Sequence, residues 1–147
     1  MSAGRRILLA DDDPRDVELS LLALENRNLS SCVDVLHDGE AVLDFLHCRG
    51  QYASRADALP AVLVLDLQMP KLGGLEVLKH IKGDPSLRTL PVVAFTSSRH
   101  EKDLQECYAS GVNSYVVKPL DFADFMRTVE ELGTFWMERN VNPPRHA

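Results

Sequence analysis

Five short apolar runs alternate with stretches whose apolar residues recur at helical spacing, and this alternation constrains the fold most strongly. The runs cover residues 6–10, 32–36, 61–66, 91–96 and 114–117. Several are continuously apolar, as expected for strands of a parallel sheet that is covered on both faces. Strands that alternate with helices predict an α/β fold with right-handed crossover connections.

Five helices are predicted between and after these strands. The first begins after Asp13, which can cap it, and has Pro14 at the first helical position, where the missing N–H costs nothing. Val17, Leu21 and Leu24 then share one face. The other helices are expected over residues 40–47, 74–82, 101–110 and 122–139.

The composition argues against several classes of protein. The net charge of −6 disfavours a general binder of nucleic acid or anionic membranes, because both need clustered basic residues. The apolar runs are too short to span a bilayer, and the N-terminus lacks a signal-peptide pattern. Cys32, Cys48 and Cys107 are odd in number and widely spaced, which suits free thiols in a reducing compartment. By elimination, we expect a cytoplasmic protein.

Polar residues follow four of the five predicted strands. They are Asp11-Asp12-Asp13, Asp66, Thr96-Ser97 and Lys118-Pro119, in chain order. In an open α/β sheet, ligands bind at the carboxyl ends of the strands, near the point where the strand order switches. We therefore expect these carboxylates, hydroxyls and the ammonium group to line one crevice.

The residue types expected in that crevice suit phosphoryl transfer to a carboxylate. Carboxylates held together repel one another, and a bound cation offsets their charge most easily. Oxygen ligands with retained waters suit Mg²⁺ or Mn²⁺. A lysine can pair with the free carboxylate and later with a phosphoryl oxygen, and metal and lysine together neutralise the transition state.

Each of these residues also has a purely structural interpretation. Asp11, Asp12 and Asp13 are favourable beside a helix N-terminus, and Asp66 and Thr96 are suited to turns. Lys118 could be an ordinary exposed lysine. What favours the functional interpretation is that the polar residues all follow apolar strands, in the order that one site needs.

Four segments of the chain resemble the receiver domains of two-component response regulators. The matching segments are 7–14 (ILLADDDP), 65–74 (LDLQMPKLGG), 94–97 (AFTS) and 115–119 (YVVKP). The resemblance covers nearly the whole chain, and the ordered set is far more specific than any single segment. It implies a flavodoxin-like (βα)₅ three-layer sandwich with a parallel five-stranded sheet of order 2-1-3-4-5 and, here, an extended last helix.

The resemblance assigns roles at the site. Asp66 would be the phosphoacceptor, which attacks the phosphorus of a phosphohistidine on a sensor histidine kinase. Asp12 would bind Mg²⁺ or Mn²⁺ directly and Asp11 largely through water, with Asp66 and the backbone carbonyl of Gln68 completing the protein ligands. Thr96 and Lys118 would hold phosphoryl oxygens. The Lys118–Pro119 bond resembles the family's cis peptide.

The resemblance also implies how the signal is read. Thr96 would move toward the phosphoryl group and Tyr115 would turn into the space released, so that phosphorylation favours one of two accessible states. Alternatively, Tyr115 is a half-buried aromatic residue with no switching role. Gln68 and Ser98 occupy the positions at which the family tunes hydrolysis of the acyl phosphate.

The receiver resemblance accounts for residues 1–141 as one domain and leaves 142–147 as a short tail. Little sequence remains for an output domain, so we expect output through contacts of the receiver or relay to a histidine phosphotransfer protein. An insertion over 48–57 and the extended last helix with Phe135-Trp136 resemble small regulators that partner bacterial phytochrome-type kinases. The same pattern also occurs with other sensor kinases.

The last helix carries a broad apolar stripe, and we predict a homodimer through the region from the fourth strand to the fifth helix. The stripe consists of Phe122, Phe125, Val129, Leu132 and Trp136. Most of it is expected to pack on the sheet, but Phe135 and Trp136, beyond the sheet edge, would expose an apolar patch in a monomer.

Three other functions remain as alternatives. The first is a receiver-like module that binds partners without phosphorylation, which the intact Asp11, Asp12, Asp66, Thr96 and Lys118 disfavour. The second is an aspartyl-phosphate hydrolase, which typically has a second acid at the position of Gln68. The third is a nucleotide-binding oxidoreductase, which the absence of a glycine-rich first turn disfavours. We therefore expect a phosphoacceptor that catalyses only its own phosphorylation and dephosphorylation, and no nucleic-acid or membrane binding.

Overall fold

The computed structural model describes residues 5–56 and 58–144, which form a parallel sheet with helices on both faces. The strands are β1 (Ile7–Ala10), β2 (Val33–Leu36), β3 (Val62–Leu65), β4 (Val92–Thr96) and β5 (Ser114–Val117). The helices are α1 (Pro14–Glu25), α2 (Gly39–Leu46), α3 (Gly74–Gly83), α4 (Glu101–Ala109) and α5 (Phe122–Thr134). The strand order is 2-1-3-4-5, which confirms the expected architecture.

The sheet is buried from both sides because successive residues of each central strand point to opposite faces. Leu8 and Leu63 pack into an apolar cluster with residues of α2, α3 and α4. Leu9 and Val64 pack into a second cluster with residues of α1 and α5. Every residue of β1, β3 and β4 is buried, as the continuously apolar runs indicated.

The end of α5 differs from the single long helix that was expected. The α-helix ends at Thr134 and continues as a π-helical segment over Phe135–Arg139. Asn142, which was assigned to the tail, donates from Nδ2 to the Ala61 carbonyl at 2.9 Å and accepts from the Arg5 guanidinium at 3.1 Å. Ordered contacts with the domain therefore reach residue 142. Residues 1–4 of the expected domain and 145–147 of the expected tail lie outside the described residues.

The insertion before β3 is anchored to the end of α2. It contains a short 3₁₀ helix, Gly50–Tyr52, and the Tyr52 ring packs edge-on against Phe45 with the ring centroids 5.3 Å apart. The Arg55 guanidinium lies 4.1 Å from the centre of the Phe45 ring and donates to the Phe45 carbonyl at 2.9 Å. Asp57 of the insertion lies outside the described residues.

Gly74 allows α3 to begin against the end of β3. A Cβ at residue 74 would lie 2.3 Å from the Asp66 carbonyl oxygen and 2.7 Å from Leu67 Cα, both backbone atoms. We expect Gly74→Ala to lower the free energy of unfolding by about 2–3 kcal/mol, as for other overpacked sites. Urea denaturation measures this change.

Gly83→Ala is the matched control, because among the described residues a Cβ there would have nothing within 4 Å. This residue ends the same helix, where alanine is the better helix former, so we expect little change or a small gain. Equal destabilisation by the two substitutions would contradict the role of Gly74.

Across residues 5–56 and 58–144, none of the helices combines the length and apolar character that a bilayer crossing needs.

Candidate functional site

The polar residues that follow the strands meet at one edge of the sheet, as the sequence predicted. Asp11 follows β1, Asp66 follows β3, Thr96 ends β4 and Lys118 follows β5. Asp66 and Lys118 line an open cleft together with Asp12, Asp13, Asp16, Gln68, Met69, Pro70 and Ser97. The parallel strands thus bring residues from four parts of the chain to one site.

Lys118 lines this cleft and contacts three carboxylates. Its Nζ donates to Asp11 Oδ2 at 2.8 Å, to Asp16 Oδ2 at 2.8 Å and to Asp66 Oδ2 at 3.1 Å. Only 8% of the lysine side chain is exposed, so these contacts form away from bulk water. One ammonium group therefore offsets part of the charge of three acids.

The pKa values of Asp11 and Lys118 reflect their burial and the excess of negative charge around them. Burial raises the pKa of Asp11 to about 6, although hydrogen bonds from Lys118 and the Asp13 N–H act to lower it. Burial acts to lower the pKa of Lys118, but the carboxylates of Asp11, Asp16 and Asp66 outweigh burial and raise it. A second cation in the cleft would relieve the remaining repulsion.

Asp11, Asp12 and Asp66 fit a divalent metal. Each offers a carboxylate oxygen, and these atoms lie within 4.8 Å of one another. Asp12 is exposed and lines the cleft, so its carboxylate is accessible to an ion. The side-chain ligand atoms of all three residues are oxygens. Such donors suit Mg²⁺ or Mn²⁺ with several retained waters.

The residue after β3 is held by the turn that follows it. The Gln68 N–H donates to Asp66 Oδ1 at 3.2 Å, while Asp66 Oδ2 is the oxygen that faces Lys118. The Gln68 side chain is exposed at the cleft. Metal ligation by the Gln68 carbonyl and tuning of hydrolysis by its side chain stay predictions.

The peptide bond between Lys118 and Pro119 is trans, so the expected cis bond is wrong for this structure. Trans is the lower-energy form of an X–Pro bond, by roughly 0.5–1 kcal/mol. The Lys118 N–H donates to the Thr96 carbonyl at 2.7 Å at the end of β5, and the lysine reaches all three carboxylates from there.

Ser98 connects the two residues expected to switch. Thr96 is fully buried, and its Oγ1 accepts from the Ser98 N–H at 3.3 Å. The half-buried Tyr115 donates its hydroxyl to the Ser98 carbonyl at 3.1 Å. The Ser98 hydroxyl donates to Asp103 in α4, and its expected role in tuning hydrolysis stays a prediction. Ser98 therefore links Thr96 to Tyr115 through one short loop.

Comparison with known proteins decides the family. The model of the response regulator receiver domain matches residues 7–130 of the chain. The chain belongs to the response regulator receiver family.

Three similar proteins illustrate the range of the family. FilR2, a probable methanogenesis regulatory protein of Methanothrix harundinacea, is 39% identical over 93% of this chain and 86% of its own length. The response regulator Rcp1 of Synechocystis is 35% identical over 93% of this chain and 92% of its own length. The Mn²⁺-bound form of Rcp1 has a TM-score of 0.86 over 95% of this chain and 99% of Rcp1. The bacteriophytochrome response regulator AtBRR is 49% identical, with a TM-score of 0.73 over 93% of this chain and 98% of AtBRR.

Receiver domains are signalling phosphoacceptors whose partners are histidine kinases. This chain is a receiver domain and therefore a signalling phosphoacceptor. The strand order and the crevice at the carboxyl ends of the strands agree with that membership.

Two of the residues predicted for a receiver dimer are buried within the domain. Phe125 is 4% exposed and Val129 is 6% exposed, because both pack against the sheet. Trp136 is half-buried against the same cluster, and its carbonyl accepts from Arg5. Phe122 and Phe135 remain available to a partner, with 56% and 48% of their surface exposed.

Asp16 is the site residue that the sequence analysis missed. It lies in the first turn of α1, where an acidic residue is favourable because of the helix dipole alone. The position of Asp16 could have indicated its role, because α1 begins at the receiver cleft and its first turn faces Lys118.

We expect Asp16→Ala to lower the free energy of unfolding in EDTA by about 1–2 kcal/mol, because a hydrogen bond to a charged group is lost. Asp16→Asn should cost less, since the amide oxygen can still accept from Lys118. Urea midpoints test this order, with the exposed Glu18 of α1 replaced by alanine as the control. Equal midpoints for Asp16→Ala and Glu18→Ala would contradict it.

Proposed function

We propose that Asp66 accepts a phosphoryl group from a sensor histidine kinase, with a divalent cation held by Asp11, Asp12, Asp66 and the Gln68 carbonyl. The observation that carries the proposal is the position of Lys118. Its Nζ lies 3.1 Å from Asp66 Oδ2 and 2.8 Å from Asp11 Oδ2 in a cleft of carboxylates. A nucleophilic carboxylate beside a fixed cation is what transfer of an anionic group requires.

In the proposed step, an Asp66 carboxylate oxygen attacks phosphorus and forms an acyl phosphate. The bond between phosphorus and the kinase histidine breaks, and its electron pair returns to the imidazole nitrogen, which then takes up a proton. Lys118 exchanges its contact with Asp66 for a contact with a phosphoryl oxygen. Its contacts with Asp11 and Asp16 remain. Mg²⁺ or Mn²⁺, when bound, neutralises charge on the transferred group. Rcp1, which is known in a Mn²⁺-bound form, supports that choice of metal.

Reversal of the signal belongs to the same proposal. Water attacks the phosphorus of the acyl phosphate, the bond between phosphorus and the Asp66 oxygen breaks, and inorganic phosphate leaves while the Asp66 carboxylate is restored. The protein catalyses only its own phosphorylation and dephosphorylation. Gln68, exposed at the cleft, is the side chain that we expect to influence the attacking water.

Readout of phosphorylation would proceed from Thr96 through Ser98 to Tyr115. The Thr96 hydroxyl would bond a phosphoryl oxygen and draw in the loop to which the Tyr115 hydroxyl is bonded. Because Ser98 also bonds Asp103, the same movement would bear on α4. The surface of α4, β5 and α5 would then shift between two states.

The likeness to the bacteriophytochrome response regulator AtBRR supports a phytochrome-type histidine kinase as the partner. FilR2, a probable methanogenesis regulatory protein, is also similar to this chain, so a histidine kinase partner is the broader part of this proposal and the phytochrome type is the narrower part. The alternative recipient of the phosphoryl group is a histidine phosphotransfer protein. We also propose a cytoplasmic location, which the three free cysteines support.

We further propose that the receiver dimerises through the surface of α4, β5 and α5. Leu104 and Tyr108 of α4 are 39% and 52% exposed, and Phe122 of α5 is 56% exposed. Sedimentation velocity over a range of concentrations tests this, and Phe122→Asp should shift the distribution toward monomer. A monomer at every concentration, with and without a phosphoryl analogue, would count against the dimer.

The function is tested by phosphotransfer from a panel of autophosphorylated histidine kinases, with Mg²⁺ and with EDTA. We expect rapid loss of label from at least one kinase, its appearance on this chain, and no transfer in EDTA. Binding to a partner that is unchanged by phosphorylation, without any transfer, would favour the phosphorylation-independent module.

A further inference from the structure

A second group of metal-ligand side chains lies away from the carboxylate cleft, where α2 and α3 end. His47 is the residue that caps the end of α2. His80 is in the last turn of α3, and Asp84 caps the end of that helix. Helices of βα units run back from the carboxyl ends of the strands, so this cluster and the phosphorylation cleft lie at opposite edges of the sheet.

The three side chains converge on one point. His47 Nε2 lies 3.0 Å from His80 Nε2 and 3.6 Å from Asp84 Oδ2, and His80 Nε2 lies 4.0 Å from the same carboxylate oxygen. Ligand atoms on a tetrahedral zinc ion, with bonds of about 2.0–2.1 Å, are about 3.3–3.4 Å apart. The observed separations bracket that value, so small side-chain rotations would complete the geometry.

Asp84 is oriented for this arrangement. Its Oδ1 accepts from both the N–H and the hydroxyl of Ser86 at 2.8 Å, which leaves Oδ2 facing the imidazoles. Hydrogen bonds that orient a ligand in this way are typical of metal sites.

The surroundings favour a cation over a simple hydrogen bond between two imidazoles. The carbonyl ends of two helices and one carboxylate give the cluster a negative potential. The side chains of His47, His80 and Asp84 are 23%, 42% and 25% exposed, so an ion and its remaining water have access. Cys48 does not complete the cluster, since its Sγ points to the Ala56 carbonyl 3.9 Å away.

We propose that His47, His80 and Asp84 bind a transition-metal dication of the zinc type, with water as the fourth ligand. Two imidazoles and one carboxylate suit zinc, whereas Mg²⁺ prefers oxygen ligands alone. The ion would join the end of α2 to the end of α3. The site is independent of phosphorylation at Asp66.

Co²⁺ titration of the full chain in excess Mg²⁺ tests the site, because tetrahedral Co²⁺ absorbs visible light and zinc displaces it. We expect one equivalent to bind, and His80→Gln or His47→Gln to weaken binding by roughly a hundredfold, since even outer partners of a ligand contribute about ten- to a hundredfold. Zn²⁺ should raise the melting temperature of the unmodified chain and not that of His80→Gln.

His100→Gln, at the start of α4 and outside the cluster, and Asp12→Asn, in the carboxylate cleft, should leave the Co²⁺ affinity unchanged. Three outcomes would overturn the proposal. They are equal affinity in His80→Gln and the unmodified chain, loss of binding in Asp12→Asn, and absence of Co²⁺ and Zn²⁺ binding below millimolar concentrations. In the last case the cluster is only a hydrogen-bonded pair of histidines beside Asp84.

Discussion

Asp66→Asn is expected to abolish phosphorylation by Mg²⁺ and a small acyl phosphate, with no added phosphoryl group in the intact mass. The amide of asparagine is a poor nucleophile, and the exchange also removes one of the three carboxylates that contact Lys118. The loss should be complete rather than partial, because the substitution removes the acceptor oxygen that follows β3.

Asp13→Asn is the control for this substitution. Asp13 also lines the cleft, but its carboxylate caps α1 by accepting from the Arg15 and Asp16 N–H groups. Asparagine caps a helix about as well as aspartate, so the fold and phosphorylation should both persist. Phosphorylation of Asp66→Asn at the rate of the unmodified protein would contradict the role of Asp66.

Lys118→Ala is expected to have two separate effects. In EDTA it should lower the free energy of unfolding by about 3–5 kcal/mol, because Asp11, Asp16 and Asp66 lose their shared counter-charge. Mg²⁺ should restore part of this stability, since the ion can offset the same carboxylates. With saturating Mg²⁺, phosphotransfer should slow by on the order of a hundredfold or more, as when one fixed donor to a transition state is removed.

Urea denaturation with EDTA and with Mg²⁺ separates the structural effect from the catalytic one. Lys102→Ala, on the exposed surface of α4, controls for loss of a lysine elsewhere in the chain. If Lys118→Ala were as stable as Lys102→Ala and equally fast in transfer, the ammonium would have neither role.

Local chemistry explains why the elements were predicted well. Asp13 and Pro14 determine the start of α1 through a cap and a fixed φ, both of which act within one turn. Gly111 lies at a φ of 96° after α4, a left-handed conformation that glycine adopts readily. The predicted ends of the strands differ from the observed ones by at most one residue. The site followed because parallel strands bring their carboxyl ends to one edge.

Other features depend on packing that a single sequence does not reveal. Phe125 and Val129 form the same apolar stripe whether a sheet or a second subunit covers it, and only the structure shows that the sheet does. Asp16 looks like an ordinary acid in a first turn until Lys118 is seen beside it. His47 and His80 are 33 residues apart, and only the packing of α2 against α3 joins them.

Mapping the phosphorylated residue tests the central claim most directly, because Asp66→Asn would remove a metal ligand as well as the acceptor. Borohydride reduces an acyl phosphate on aspartate to homoserine, which tandem mass spectrometry can locate. After phosphorylation with Mg²⁺, homoserine is expected at residue 66 and at none of Asp11, Asp12, Asp13 or Asp16. Homoserine at one of those four residues would contradict the assignment of Asp66 as the phosphoacceptor. The same holds if no homoserine forms anywhere in a protein that binds its partners normally.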